Sequence, residues 1–331
     1  MSANDNRKAA VKKIKLLVYN QKMNMNVYRQ KIDDAYTVPI LPNKVELSEH
    51  NYGGVACDVF SPEIYSSKRV TFYIHGGCFV GGSRAAYRSF CAMIANKTFS
   101  RVVVPEYRLA PVTPFPSAIE DIQSVFRSLF TEEQIDRSLD SEVPEFVIAA
   151  DGAGASIALA LLLNLKDKFR KCIKKVVLFS PWLNVSDSSA LFTGKKKMSD
   201  EILSSDVIQQ CASLYTYESN FKNPLVSPAL ASSDLLEGFP PVYIQCGGKE
   251  ILLNDIRSFE DLLKNNNVEC KVDVWPDMMH LFQLADDLLE DAHHAFERLA
   301  AEISGIDNEN IERQTYENKP RLEDSLKRTE A

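Results

Sequence analysis

Four segments of the chain carry residues able to move a proton, donate to an oxyanion or present a nucleophile. The first is His75-Gly76-Gly77-Cys78-Phe79-Val80-Gly81-Gly82, which follows the alternating run Arg69 to Tyr73. Glycines let successive backbone N–H groups turn toward one point, as stabilisation of a developing oxyanion requires, although the same residues also make a plain turn. The second is Phe146 to Leu163, FVIAADGAGASIALALLL. An apolar run, then Asp151-Gly152-Ala153-Gly154, then an alanine- and leucine-rich run read as a buried strand turning sharply into a helix, with Gly152 at the corner. The third and fourth supply Glu250, in Gly248-Lys249-Glu250-Ile251, and His280, in Met278-Met279-His280-Leu281. Both follow strand-like runs and are expected at the same sheet edge, where a carboxylate holding an imidazole in one tautomer is half of an acyl-transfer triad. A histidine taken alone is more often a hydrogen-bonded structural residue. The weight therefore rests on the chain order of corner, acid and histidine.

To bring these segments together the chain must alternate strands with helices. The runs Val45 to Ser48, Val55 to Phe60, Arg69 to Tyr73, Arg101 to Pro105, Glu145 to Ala149, Lys175 to Phe179, Val242 to Cys246 and Cys270 to Trp275 read as strands. Helices are expected from Ser117, Ala153, Leu253 and Leu284. Such alternation predicts an α/β fold with a mostly parallel central sheet and helices on both faces, and ligands of such sheets sit beyond the carboxyl ends of the strands. At one of those ends, Glu106-Tyr107-Arg108-Leu109-Ala110-Pro111 forms a proline-rigid corner whose Arg108 is expected to anchor loops rather than react.

Val11, Ile14, Leu17, Val27 and Tyr28 recur near helical spacing and predict a helical arm. Between Trp182 and Val242 no core strand is expected, only a helix at Glu201 to Tyr217, which reads as a cap over the sheet's carboxyl edge. The expected organisation is an arm over residues 1–39, one domain over 40–304 with its cap insertion at about 185–240, and a polar tail over 305–331. That tail carries mixed charge and almost no apolar residues, so burial cannot offset the ordering entropy, and disorder is expected there.

Bulk properties narrow the partners. The 331 residues carry a net charge of -7, and a sequence pI near 5.4 argues against nucleic-acid binding. The one basic triplet, Lys195-Lys196-Lys197, is expected in a solvated loop. Seven cysteines lie scattered without C-x-x-C spacing, which signals neither a zinc site nor a redox pair, and no cofactor or metal is expected. The apolar run Leu16 to Tyr19 is too short for a signal-peptide core, and no stretch approaches a membrane span. A cytoplasmic protein is expected.

Taken in order over about residues 40 to 300, His75-Gly76-Gly77, Tyr107-Arg108-Leu109-Ala110-Pro111, Asp151 with Ala153-Gly154, Ser180-Pro181-Trp182, Glu250 and His280 resemble the hormone-sensitive-lipase-like branch of the α/β-hydrolase fold. The resemblance implies a central sheet with a helical cap and lipase- or esterase-type hydrolysis of carboxylic esters by a Ser-acid-His triad. Carried over residue by residue, it makes Gly77, Cys78 and Ala153 the backbone donors of the oxyanion hole, Glu250 the acid and His280 the base. Gly152 falls on the nucleophile position. Three neighbours also depart from the pattern: Ala150 and Ala155 stand for elbow glycines and Cys78 for the third glycine of an H-G-G-G run. Ser156 lies about one helical turn past the corner and is expected to pack.

A glycine cannot attack a carbonyl. The resemblance therefore implies an esterase homologue impaired in catalysis. Two alternatives stand beside it: a receptor-like or carrier pseudoenzyme holding a small apolar ester or acid, and a weak hydrolase whose water is activated by His280 and Glu250.

Overall fold

The computed structural model describes residues 2–19, 22–36, 38–64, 69–137, 143–190 and 200–317. The Lys195-Lys196-Lys197 triplet and residues 318–331 lie outside that set.

Strands β1 (Val45–Tyr52), β2 (Val55–Pro62), β3 (Val70–Ile74), β4 (Arg101–Pro105), β5 (Phe146–Asp151), β6 (Ile173–Phe179), β7 (Val242–Gly247) and β8 (Cys270–Trp275) form one sheet in the order β1-β2-β4-β3-β5-β6-β7-β8. The β1/β2 and β2/β4 pairs are antiparallel. From β4 to β8 every neighbouring pair is parallel. Burial explains the strand sequences. Every residue of β3 (VTFYI) and β5 (FVIAAD) is buried, as befits strands covered on both faces, whose apolar runs are continuous rather than alternating. The edge strand β1 exposes Glu46, Glu49 and His50 instead, and charges of this kind discourage edge-to-edge pairing.

The helices are α1 (Ala3–Lys15), α2 (Met25–Ala35), α3 (Arg88–Thr98), α4 (Ser117–Arg137), α5 (Gly152–Asn164), α6 (Ser205–Tyr215), α7 (Leu253–Asn265) and α8 (Glu290–Glu317), with short helical turns between them. The β3-α3-β4 connection steps toward β2, whereas β5-α5-β6 steps the other way. Right-handed crossovers then put α3 and α5 on opposite faces; α3 packs with α8, and α4 with α5. Where the stepping direction reverses, between β3 and β5, the loops diverge and leave a crevice at the carboxyl edge. The His75 loop and Gly152 both open onto it.

Several boundaries differ from expectation. Helix α3 is an element that the sequence pattern does not predict. The expected helix from Leu284 is instead a 3₁₀ turn at Phe282–Ala285, after which α8 begins at Glu290. Leu281 at φ 55° breaks the backbone before that turn, and Glu290 and Asp291 supply the negative charge that favours a helix N-terminus. The expected helix over Glu201 to Tyr217 is shorter, because Ser204 caps it by accepting a hydrogen bond from the Val207 N–H. Past residue 305, where composition predicts loss of order, α8 continues as helix to Glu317. Its first half is anchored by buried Ala292, Ala295, Phe296, Leu299 and Ile303, and an anchored helix propagates at one hydrogen bond per residue added. Among the described residues, no helix is long and apolar enough to cross a membrane, and no group of three or more His, Cys, Asp or Glu side chains is placed to hold a metal ion.

Candidate active site

The corner between β5 and α5 is built by two glycines with different tasks. Gly152, the first residue of α5, has φ +47°, in the left-handed region that strains any residue with a Cβ. Gly154 allows close approach: a Cβ there would fall well inside contact with the backbone carbonyl oxygens of Ile74 and His75. Asp151 fastens the same corner to the loop after β3. Its buried carboxylate accepts hydrogen bonds from the Tyr73 hydroxyl at 2.7 Å, the Tyr87 hydroxyl at 2.7 Å and the Gly76 N–H at 2.8 Å. Burial pushes Asp151 up to about 6; those three donors and the charge of His280 act in the opposite direction.

In the loop itself, His75 stacks on Tyr107 at 4.4 Å and on Tyr87 at 5.4 Å between ring centroids. Burial holds it down to about 4, against the pull of a hydrogen bond from its Nδ1 to the Gly76 carbonyl. It is a neutral structural imidazole at neutral pH. Cys78 and Phe79 follow with φ 58° and 66°, a pair of left-handed residues that brings Gly77 and Cys78 back beside Gly152. Ala153, as the second residue of α5, has an N–H without an intrahelical acceptor.

The acid and the histidine leave β7 and β8. Glu250 is fully buried; its Oε1 accepts from the Ser180 hydroxyl at 2.5 Å and from the Gly247 N–H. Its Oε2 faces His280 Nδ1 at 3.4 Å, a long contact. Ser180 also accepts from the Leu281 N–H at 3.0 Å, so one hydroxyl ties the acid to the residue after the histidine. Both Ser180 and Leu281 are left-handed, with φ 44° and 55°. Burial alone would depress His280. The hydrogen bond and charge of Glu250, with Asp200 and Cys78, outweigh it and leave the imidazole above its ordinary value. With Nδ1 donating to Glu250, Nε2 is the free nitrogen, and it lies 4.0 Å from a Cβ built on Gly152. A hydroxyl one bond beyond that Cβ comes within hydrogen-bond reach of the imidazole.

Gly77, Cys78, Gly152, Ala153 and His280 line a single cavity of about 20 Å³, closed over by Leu17, Val18, Trp182, Leu203, Ile208, Leu252 and Leu281. That is room for about one water. Five of the six candidate residues thus share one space, and Glu250 stands directly behind the fifth. Arg108 lies apart, donating from its backbone N–H and Nε to Asp121 as a loop anchor. Ser156 donates to the Trp182 carbonyl within the core and does not reach the cavity.

Asp151 and Ser180 stand in segments that carry the family resemblance, but their hydrogen-bonding partners are not readable from residue order; Asp151 ends β5 and Ser180 follows β6 at the carboxyl edge.

Comparisons with known proteins bear on the family and the fold. Residues 71–284 match the family model described as alpha/beta hydrolase fold. An esterase of Acinetobacter venetianus is 30% identical, covering 73% of this chain and 77% of its own. An acetyl-hydrolase of Streptomyces hygroscopicus is 29% identical over 69% of this chain and 73% of its own. Among solved structures, an esterase of the bacterial hormone-sensitive lipase family superposes with a TM-score of 0.78 at 26% identity, covering 92% of this chain and 98% of that one. On sheet order, carboxyl-edge site and these matches together, the chain belongs to the α/β-hydrolase fold family, in its hormone-sensitive-lipase-like branch.

Proposed function

We propose that this chain is an esterase-type hydrolase in which Gly152 occupies the nucleophile position, so that the remaining apparatus binds an ester but forms no acyl-enzyme. The observation that carries the reading is the 4.0 Å between His280 Nε2 and the Cβ position of Gly152, together with the left-handed φ at that corner. In this reading Glu250 orients His280, and His280 is the base. The backbone N–H groups of Gly77, Cys78 and Ala153 are the donors for a carbonyl oxygen that gains negative charge. The substrate class is a short carboxylic ester, in keeping with the esterase and acetyl-hydrolase named among the relatives. Residues 1–39 and about 185–240 act as the cap, which is supported by Leu17, Val18, Leu203 and Ile208 closing the cavity. A reducing, cytoplasmic setting suits seven cysteines that are all free and buried.

Covalent acyl transfer needs a side chain at the corner. Removing the nucleophile from a serine triad leaves roughly 10³- to 10⁴-fold enhancement over water, from oxyanion stabilisation and binding alone. Steady-state hydrolysis of p-nitrophenyl acetate tests the reading: the chain is expected near background and Gly152→Ser clearly above it. Burst kinetics in the unaltered chain would overturn it. A second reading, a receptor-like pocket, is favoured by the predominantly apolar lining. It predicts saturable binding of an apolar acid or ester that His280→Ala weakens while both proteins stay silent as esterases.

A further inference from the structure

We propose that Cys78 and Cys211 are a thiol pair that a peroxide converts to a disulfide, covalently joining α6 to the loop that carries Gly77 and Cys78. The two residues sit on different elements that meet at the cavity. Cys78 lines it, while Cys211 is fully buried on α6. The positions around Cys211 fix the approach. Ile208, three residues earlier, lines the same cavity. Tyr215, four residues later, stacks on Phe79 with ring centroids 3.9 Å apart and planes 6° apart. Positions three and four apart share a helix face, so Cys211, between Ile208 and Tyr215, faces the loop that carries Cys78 and Phe79.

The partners are not equivalent. The neighbouring Cys211 thiol, with the Tyr19 backbone and the charge of His280, lowers Cys78 against the effect of burial. The neighbouring Cys78 thiol and burial raise Cys211. Cys78 is the attacking sulfur, because it lines the cavity that a peroxide enters while Cys211 is fully buried behind it, and the thiolate is the reactive form. The other thiols, Cys57, Cys91, Cys172, Cys246 and Cys270, are all raised by burial.

The chemistry balances with hydrogen peroxide as oxidant. The Cys78 thiolate attacks one peroxide oxygen, the O–O bond breaks, and the departing hydroxide takes a proton to become water. This leaves Cys78 as a sulfenic acid. The Cys211 sulfur then attacks the Cys78 sulfur, the S–O bond breaks, and hydroxide leaves with the Cys211 proton as a second water. One peroxide is reduced and two thiols are oxidised. The new bond ties the cavity's covering helix to its floor, whatever chemistry the cavity performs.

The test uses the full chain, treated with hydrogen peroxide, blocked with N-ethylmaleimide and mapped by mass spectrometry without reduction. The expected result is a Cys78–Cys211 cross-linked peptide, a fall in free thiols from seven to five, recovery with dithiothreitol, and slower amide exchange in α6. In Cys211→Ser, dimedone is expected to trap a sulfenic acid at Cys78. Full alkylation of both residues after peroxide, or oxidation that maps to other cysteines, would overturn the proposal. The cross-link is read on the unaltered chain, so a variant that fails to fold does not rescue it.

Discussion

A side chain at residue 152 would meet only His280 Nε2 and Leu281 Cδ1, each 4.0 Å from the Cβ position, so space does not oppose a serine there. The φ of +47° does oppose it, at a cost of about 1 to 2 kcal/mol. Gly152→Ser is thus expected to lower the urea midpoint slightly while staying folded; a loss well beyond that strain, above about 4 kcal/mol, would mean that the corner tolerates glycine alone. Two other buried groups shape the response to pH. His75 has its folded value lowered to about 4 from an ordinary 6.5. As pH falls from 6.5 toward 4 the unfolded chain takes up a proton that the folded chain refuses, and about 3 kcal/mol of stability is lost. Asp151, raised to about 6 from 3.8, has the opposite sign: the folded carboxyl keeps its proton longer, so stability falls as pH rises from about 4 to 6. The two slopes largely cancel in the intact protein. His75→Phe keeps the ring stack and removes one of them, so wild-type stability measured relative to this variant is expected to drop by about 3 kcal/mol between about pH 7 and pH 4. Parallel urea profiles for the two proteins at those pH values would contradict the role given to His75.

The first turn of α5 lies directly on the end of β3, and this contact sets the distance between the Gly152 corner and the Gly77 loop. Gly154→Ala drives a methyl into the carbonyls of Ile74 and His75; backbone there cannot yield as a flexible side chain would. A loss of about 3 kcal/mol is expected in thermal or urea unfolding, and a neutral effect would refute the close packing. This corner was legible from residue order, because glycines set between a buried apolar strand and an apolar helix mark a tight turn and a close backbone approach. The strands were legible too, since doubly buried runs such as VTFYI and FVIAAD leave no helical reading of comparable strength. Helix α3 was not: its RSFCAMIANKT places Phe90, Cys91 and Ile94 inside with only modest polar contrast outside. Chain order brought Glu250 and His280 to notice, but not the contact of Ser180 with Glu250, which spans 70 residues of sequence. Nor did cysteine spacing signal Cys78 and Cys211, because their meeting depends on how α6 lies over the sheet.

Over the whole molecule, the N-terminal arm is pinned across the carboxyl edge. Arg29 donates to the carbonyls of Val80 at 2.9 Å and Ala110 at 2.6 Å, and the Tyr28 hydroxyl donates to the Leu17 carbonyl at 2.8 Å. With a cavity of only about 20 Å³ beneath, the proposed binding of even an acetyl ester requires the arm to move, as lids do in many enzymes. Arg29→Ala removes two charge-assisted hydrogen bonds, so amide exchange across residues 22–36 is expected to speed up about tenfold or more, corresponding to at least ~1.4 kcal/mol of lost protection. Unchanged exchange would show that the arm is held by packing alone. The claim that Gly152 stands at the nucleophile position is tested most directly by intact-protein mass spectrometry after incubation with a serine-directed fluorophosphonate. No adduct is expected on the unaltered chain, a single adduct is expected at residue 152 on Gly152→Ser, and that adduct should vanish in Gly152→Ser/His280→Ala. An adduct on the unaltered chain, or a folded Gly152→Ser that remains unlabelled, would contradict the claim.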